Sequence, residues 1–257
     1  MSMGIALVTG GTSGIGAAFA RALARRGYDL VLVARDEARL AEMAVELRGL
    51  GREVELLPAD LSDRADVARV VTRLEDTERP VDMLVNNAGF GVHTRITAVD
   101  PSPHDLGLEV MVRAVLVLAG AAGRAMSARG RGAIVNVSST AGFITMGSYS
   151  AIKAYVTSLS EGLANELHGT GVTVTALCPG WVRTEFHQRA GIRSSSIPKS
   201  LWLDADKLVE TSLRDVEQGR VISMPSVRYR VLIWFARHIP RSLNRWVSRK
   251  ISSSRRD

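Results

Sequence analysis

The sequence predicts an α/β fold: a doubly wound, mostly parallel sheet flanked by helices on both faces, in one domain with a basic amphipathic C-terminal tail. Three observations carry this prediction. Runs such as GIALVTG, DLVLVAR and VDMLVNNAG are continuously apolar rather than alternating, the pattern of strands buried on both faces. Helix-forming segments separate these runs at regular intervals, the rhythm of βα units. A glycine-rich turn joins the first strand to the first helix.

The elements follow in chain order. GIALVTG (4–10) is the first strand, and GAAFARALARRGY (16–28) is a helix with Phe19, Leu23 and neighbouring alanines on one face. DLVLVAR is the second strand. DEARLAEMAVELRGLG (36–51) is an amphipathic helix that begins on acids and ends on Gly49 and Gly51, as dipole and cap preferences favour. EVELLPAD, RADVARVVTRLEDTE and VDMLVNNAG continue as strand, helix and strand. Helix and strand alternate again over 105–129, 132–138, 149–169 and 172–178. Residues 184–203, with Gly191, Ser194–Ser196 and Pro198, read as a loop; DADKLVETSLRDVEQG is a further helix and RVISMP a last strand. The expected division is a domain over 1–225 and an extension over 226–257.

Composition bounds the function. The 257 residues are 46% hydrophobic and 23% charged, an ordinary globular balance. One cysteine, Cys178, excludes an intramolecular disulfide framework and a thiolate metal cluster, and points to a reducing, cytoplasmic compartment. The N-terminal MSMGIALVTGG reads as a strand rather than a signal peptide, and no uninterrupted apolar run reaches membrane-spanning length. The net charge of +7 is unevenly placed: residues 220–257 carry ten Lys/Arg against one acid, which leaves the rest of the chain slightly acidic. No recognition motif accompanies the basic segment, so nucleic acid is not an expected partner, and His168, His187 and His238 have no metal-ligand spacing.

TGGTSGIG (Thr9–Gly16) sits between strand and helix, where such a sheet binds a dinucleotide pyrophosphate. Gly10 allows the sharp turn and Gly14 lets phosphate approach. Gly16 permits close packing, and Thr12, Ser13 and Ile15 complete the loop that opens the helix. The second strand ends in Arg35, where a 2′-phosphate would be neutralised, which favours NADP(H); the adjacent Asp36 leaves NAD(H) open.

With these motifs in place, the chain resembles the short-chain dehydrogenase/reductases, NAD(P)-dependent oxidoreductases of Rossmann fold. TGGTSGIG, NNAG (86–89), VNVSSTAG (135–142), YSAIK (149–153) and PGWVRT (179–184) occur in the family's order, across about residues 3–225. The resemblance implies Ser139, Tyr149 and Lys153 as catalytic residues, with Ser139 a better match to the family serine than Ser138. Tyr149 would donate a proton to a carbonyl oxygen, Ser139 would hydrogen-bond that oxygen, and Lys153 would also hold the nicotinamide ribose. The spacing agrees, because positions i and i+4 share a helix face and an ammonium beside a phenol favours phenolate. The resemblance further implies cofactor contacts from Asp60 and Leu61 beside the adenine and from Asn87, Ala88 and Gly89. It adds Pro179, Gly180, Val182 and Thr184 on the nicotinamide side.

Two departures stand out. Met111 occupies the place where many members of the family carry an asparagine, implied to hold a water in a proton relay; a thioether offers no donor. The interval from Ser139 to Tyr149 is short.

The segment 227–251 sets Val227, Val231, Trp234/Phe235, Leu243, Trp246/Val247 and Ile251 at helical spacing between arginines. Such a stripe either packs on protein or lies on an anionic membrane surface. Apolar residues in FITMGS and WVRTEFHQRAGI, with Trp202, point to a lipophilic carbonyl or alcohol substrate. The expectation is an NADPH-preferring ketone reductase, peripheral contact with the membrane being one use of the tail. Family members usually pair through helices at about 105–129 and 149–169, which implies a homodimer or homotetramer. A cofactor-binding sensor of the same fold without turnover is the alternative that Met111 raises.

Overall fold

The computed structural model describes residues 3–184 and 198–238. Strands β1 (Gly4–Thr9), β2 (Tyr28–Ala34), β3 (Val54–Pro58), β4 (Val81–Asn86), β5 (Gly132–Val137), β6 (Val172–Leu177) and β9 (Ile222–Ser223) form one sheet in the order β3-β2-β1-β4-β5-β6-β9. Every neighbouring pair is parallel.

Continuous apolar strands leave the pleat to sort side chains between two cores. Ala6 and Val8 of β1, with Leu30 and Leu32 of β2, join Phe19 and Leu23 of α1 (Gly14–Arg25), Leu40 and Leu47 of α2 (Glu37–Gly49), and Leu208 and Leu213 of α7 (Ala205–Glu217). Leu7, Val31 and Val33, one residue out of step, face the opposite core with Val67 and Val70 of α3 (Arg64–Leu74) and Leu118 and Met126 of α5 (Ala114–Arg129). Leu163 of α6 (Gly147–Glu166) packs on that second core. This two-residue alternation explains why neither face of the strands is polar.

Helix starts are set locally. Asp36, Asp63 and Asp204 each accept a backbone N–H of their own first turn, from Arg39 at 3.1 Å, Ala65 at 2.7 Å and Lys207 at 3.0 Å. Gly130 closes α5 in the left-handed conformation at φ 74°.

The structure adds elements without a sequence signal. Residues 102–129 form one long helical run: α4 (Ser102–Leu108), a π-helical turn (Glu109–Arg113) and α5. This run is long and apolar enough to cross a membrane, yet more than half of its most apolar 18-residue window is buried inside the fold, as befits a core helix. Strands β7 (Trp181–Val182) and β8 (Trp202–Leu203) form a separate parallel pair; β8 takes up the last two residues of the loop predicted at 184–203, after a helical turn at Lys199–Leu201, because pairing with β7 orders that end of the segment. Residues 185–197 of that loop lie outside the described residues. In the extension, α8 (Val227–His238) docks on the domain through buried Tyr229 and Ile233. Val227, Val231, Trp234 and Phe235 face outward, so the helix buries different positions from the stripe read in the sequence. Leu243, Trp246, Val247 and Ile251 lie outside the described residues.

Candidate active site

Strand order reverses between β1 and β4, and parallel sheets bind ligands outside the carboxyl ends of the strands at such a point. Nearly all the predicted residues gather there. The glycine turn follows β1, Arg35 follows β2, Asp60 and Leu61 follow β3, and Asn87–Gly89 follow β4. Ser139 follows β5, Pro179–Thr184 follow β6, and α6 brings Tyr149 and Lys153.

Gly10 has φ +65°, which a side chain disfavours, and a Cβ on Gly16 would overlap the Gly10 carbonyl. Ser13 takes the N-cap position of α1, but its side chain makes no capping bond, so the first-turn N–H groups keep an anion-binding character. Asn87 closes the turn from across the sheet. Its Nδ2 donates to the carbonyls of Thr9 (3.0 Å) and Gly10 (3.1 Å), while its backbone N–H and that of Ala88 donate to Thr9 Oγ1. Thr184 packs over Gly14, which brings the end of β7 against the glycine turn.

At the far end of the crevice, the question raised by Asp36 has a geometric answer. Its carboxylate caps α2 and pairs with Arg39 at 3.6 Å. Arg35 is 73% exposed at the crevice rim, 3.8 Å from Asp60. Burial alone would raise the Asp60 pKa, but hydrogen bonds from the Ser62 N–H and hydroxyl, with Arg35 nearby, hold it below the usual carboxylate range.

The two adjacent serines separate cleanly. Ser138 is buried and turned inward, donating to the Lys153 carbonyl at 2.7 Å and bonded to Thr157 Oγ1 at 2.7 Å. Ser139 accepts the Ala141 N–H at 3.1 Å and hydrogen-bonds the Tyr149 phenol. Lys153 is 5% exposed, donates from Nζ to the Val137 carbonyl at 2.9 Å, and lies 5.7 Å from the centroid of the Tyr149 ring.

The electrostatics depart from the simple expectation that the ammonium lowers the phenol pKa. Burial dominates both groups: it pushes Tyr149 up to about 12 and Lys153 down to about 8. The Ser139 hydrogen bond opposes the rise on Tyr149 and is too weak to cancel it. Tyr149 is therefore a neutral phenol with a proton to give at physiological pH. Cys178, also buried, is pushed up to about 12 by desolvation and stays a thiol.

Met111 is 1% exposed and forms the middle of the π-helical turn. Its sulfur packs against Gly89, and it clusters with Val92 and Ile152, with Tyr149 at the edge. The place where the resemblance implies a water-binding asparagine is thus filled by an apolar contact. Other contributors were missed by sequence reasoning. Asn86 donates to Asn136 at 2.9 Å and Asn136 to Ser160 at 3.0 Å, a buried polar chain that fastens α6 to the sheet beneath Lys153. His104 bonds Ser148 at 2.8 Å and the Arg95 carbonyl at 3.1 Å, anchoring the start of α6 beside Tyr149. Their polarity within apolar strands was the available signal for the asparagines; nothing local marked His104.

Comparison with known proteins agrees with this fold. A protein of Streptomyces virginiae described as a ketoacyl reductase of the monensin polyketide synthase is 41% identical over 197 residues, 72% of this chain and 73% of the relative. A short-chain dehydrogenase from Sphingobium yanoikuyae, solved in complex with NADPH, superposes with a TM-score of 0.82 at 35% identity, over 98% of this chain and 94% of that one. The bulky-bulky ketone specific alcohol dehydrogenase of Comamonas testosteroni gives a TM-score of 0.79 at 30% identity, over 99% and 94%. The family model for short chain dehydrogenases matches residues 4–193, and the chain accordingly belongs to that family, the NAD(P)-dependent oxidoreductases that interconvert CH–OH and C=O.

Proposed function

We propose that this enzyme uses NADPH to reduce a lipophilic ketone to its secondary alcohol, with Tyr149 delivering the proton. The observation that carries the proposal is the convergence of Ser139, a neutral Tyr149 phenol and buried Lys153 at the carboxyl edge of the sheet. The residues present fit a nicotinamide dinucleotide. Glycines at 10, 14 and 16 keep the turn tight and its backbone approachable, the start of α1 has no side-chain cap, and Arg35 reaches the rim while Asp36 is committed to α2. Gly10, Gly14 and Gly16 would hold the pyrophosphate, Arg35 the 2′-phosphate and Lys153 the nicotinamide ribose. When bound, the cofactor supplies the hydride.

The chain's own part is electrostatic and acid–base. Ser139 Oγ and Tyr149 Oη hydrogen-bond the carbonyl oxygen and orient it. As negative charge builds on that oxygen, the Tyr149 proton moves to it and the Lys153 ammonium stabilises the phenolate left behind. The phenol carries its proton before the reaction starts, and because burial makes it a weaker acid than a free phenol, the Lys153 charge has that much more to offset as the proton leaves.

Two similarities support a bulky apolar substrate: the Comamonas enzyme is specific for ketones bulky on both sides, and the Streptomyces relative is described as acting on ketoacyl groups. Phe143, Ile144, Trp181 and Trp202 stand on the segments leaving the site and would add an apolar lining. Exposed Leu106, Leu108 and Leu116, with Tyr155 on α6, offer a surface for homodimer or homotetramer formation. The outward face of α8 offers one for peripheral contact with an anionic membrane.

The test follows NADPH and NADH absorbance against small polar, long-chain and polycyclic ketones. The expected result is turnover of the apolar ketones with NADPH preferred, reduced at least about 100-fold in Tyr149→Phe. Efficient turnover of small polar ketones alone would overturn the substrate class. Cofactor binding with no turnover of any carbonyl would favour the sensor.

A further inference from the structure

The pair β7–β8 is only two residues long, Trp181 opposite Trp202 and Val182 opposite Leu203, extended by one bond from the Arg183 N–H to the Leu203 carbonyl at 3.0 Å. So short a pair is a marginal structure by itself. Its support comes from the far end of the chain. Tyr229 of α8 is 7% exposed, and its ring occupies the space left by the missing side chain of Gly180; a Cβ there would overlap the ring atoms. The phenol accepts the Trp181 N–H at 3.1 Å and donates to the Leu201 carbonyl at 2.8 Å. One hydroxyl thus binds backbone at the start of β7 and just before β8. Arg228 adds a bond to the Ser200 carbonyl at 2.6 Å.

The same helix also reaches the catalytic side. It packs against the turn Thr140–Phe143, which follows Ser139 directly, and Arg237 lies 5.7 Å from the centroid of the Phe143 ring. That turn is bonded in its turn to the end of β6, the Thr140 N–H donating to the Pro179 carbonyl at 2.9 Å. From Gly180 the chain passes through β7 to Thr184, whose side chain rests on Gly14. A helix outside the sheet therefore holds both segments that leave the candidate site on its substrate side.

We propose that Tyr229 is a positioning residue for carbonyl reduction: its hydroxyl fixes the separation of the Trp181 and Leu201 backbones, and through β7–β8 the fit of a bulky substrate beside Ser139 and Tyr149. The proposal rests on the reading of those two residues as the reductive centre. Tyr229 touches no reacting atom. It acts by limiting how far the β7–β8 base can spread, and small misplacements of a substrate wall have large kinetic effects.

Tyr229→Phe keeps the ring against Gly180 and removes both bonds. The expected result is a KM for a bulky ketone raised about tenfold, with kcat and the dissociation constant for NADPH within about threefold of wild type. Arg228→Ala, an exposed change, should move KM in the same direction by about threefold. Near-ultraviolet circular dichroism gives a readout independent of turnover, since the Trp181 and Trp202 rings lie 6.2 Å apart and a spread pair weakens their coupled signal. A folded Tyr229→Phe protein with unchanged KM and an unchanged tryptophan signal would overturn the proposal, as would a fall in melting temperature with no change in either. If Tyr229→Phe does not fold, Arg228→Ala with KM and tryptophan signal both unaltered overturns it equally. Should the wild-type protein reduce no carbonyl, the reading of the centre fails, and the tryptophan signal alone decides whether Tyr229 sets the spacing.

Discussion

Two residues with opposed shifts give the site its pH behaviour. Lys153 is pushed down to about 8, so its ammonium begins to disappear just above physiological pH, while Tyr149, pushed up to about 12, keeps its proton throughout that range. If the charge on Lys153 supports proton transfer, the rate of ketone reduction at saturating substrate should fall as pH rises through about 8, by up to about tenfold per unit. Lys153→Arg, whose guanidinium stays charged, should be slower overall but lose that descending limb. A profile flat from pH 7 to 10 in the wild type would show that the charge is not used. The stability signs run separately. Between about pH 8 and 10.5 the unfolded chain binds more protons at Lys153 than the folded one, so this group's contribution to stability rises with pH. Between 10 and about 12 the folded chain holds the Tyr149 proton more tightly, and that contribution falls as pH rises.

The elements divide by how much chain it takes to specify them. The central strands and helices were legible because each repeats its signal: continuous apolar residues, an Asp before a helix, a Gly after one. The fixed helical offset of Tyr149 and Lys153 made their shared position legible, whereas their roles came only from the motifs around them and the resemblance those motifs carry. β7 and β8 were not, since two residues carry no periodicity and their pairing depends on Tyr229, a residue remote in sequence. The outward stripe of α8 was read correctly as apolar, but which face docks is decided by Tyr229 fitting over Gly180, a contact no spacing rule encodes. The π-helical turn belongs with these. It arises where the wide turn seats Met111 against Gly89, Val92 and Ile152, close to the helix that carries Lys153. Met111→Ala would empty a fully buried site and should cost about 2–5 kcal/mol, read as a lower urea midpoint at unchanged m-value. A loss under about 1 kcal/mol would mean the turn closes over the gap, so that Met111 fills space without supporting the turn.

At the scale of the whole molecule, charge and apolar exposure coincide at one end of the chain. The ten basic residues of 220–257 include Arg228, Arg230 and Arg237 on α8, the helix whose outward face leaves Val227, Val231, Trp234 and Phe235 about half exposed or more. Trp234 packs edge-on against Phe235 and stacks on His238, so the aromatic group is already ordered for contact. Arginines beside outward aromatics are the composition of a helix that lies at a lipid–water boundary, where each basic residue near an anionic surface adds roughly 1 kcal/mol. Because the opposite face of α8 holds β7–β8, such contact would bring the substrate side of the enzyme to the bilayer, where lipophilic ketones collect. The full chain should therefore sediment with vesicles containing about a third phosphatidylserine at low salt. Binding should be lost at about 0.5 M NaCl, where screening shortens the reach of surface charge to a few ångströms. Vesicles of phosphatidylcholine alone should bind it weakly. The double variant Trp234→Ser and Phe235→Ser should reduce anionic vesicle binding severalfold while turnover of a soluble ketone stays near wild type. Equal sedimentation of variant and wild type would assign the aromatic face to another partner, and no sedimentation of either would remove the membrane from the account.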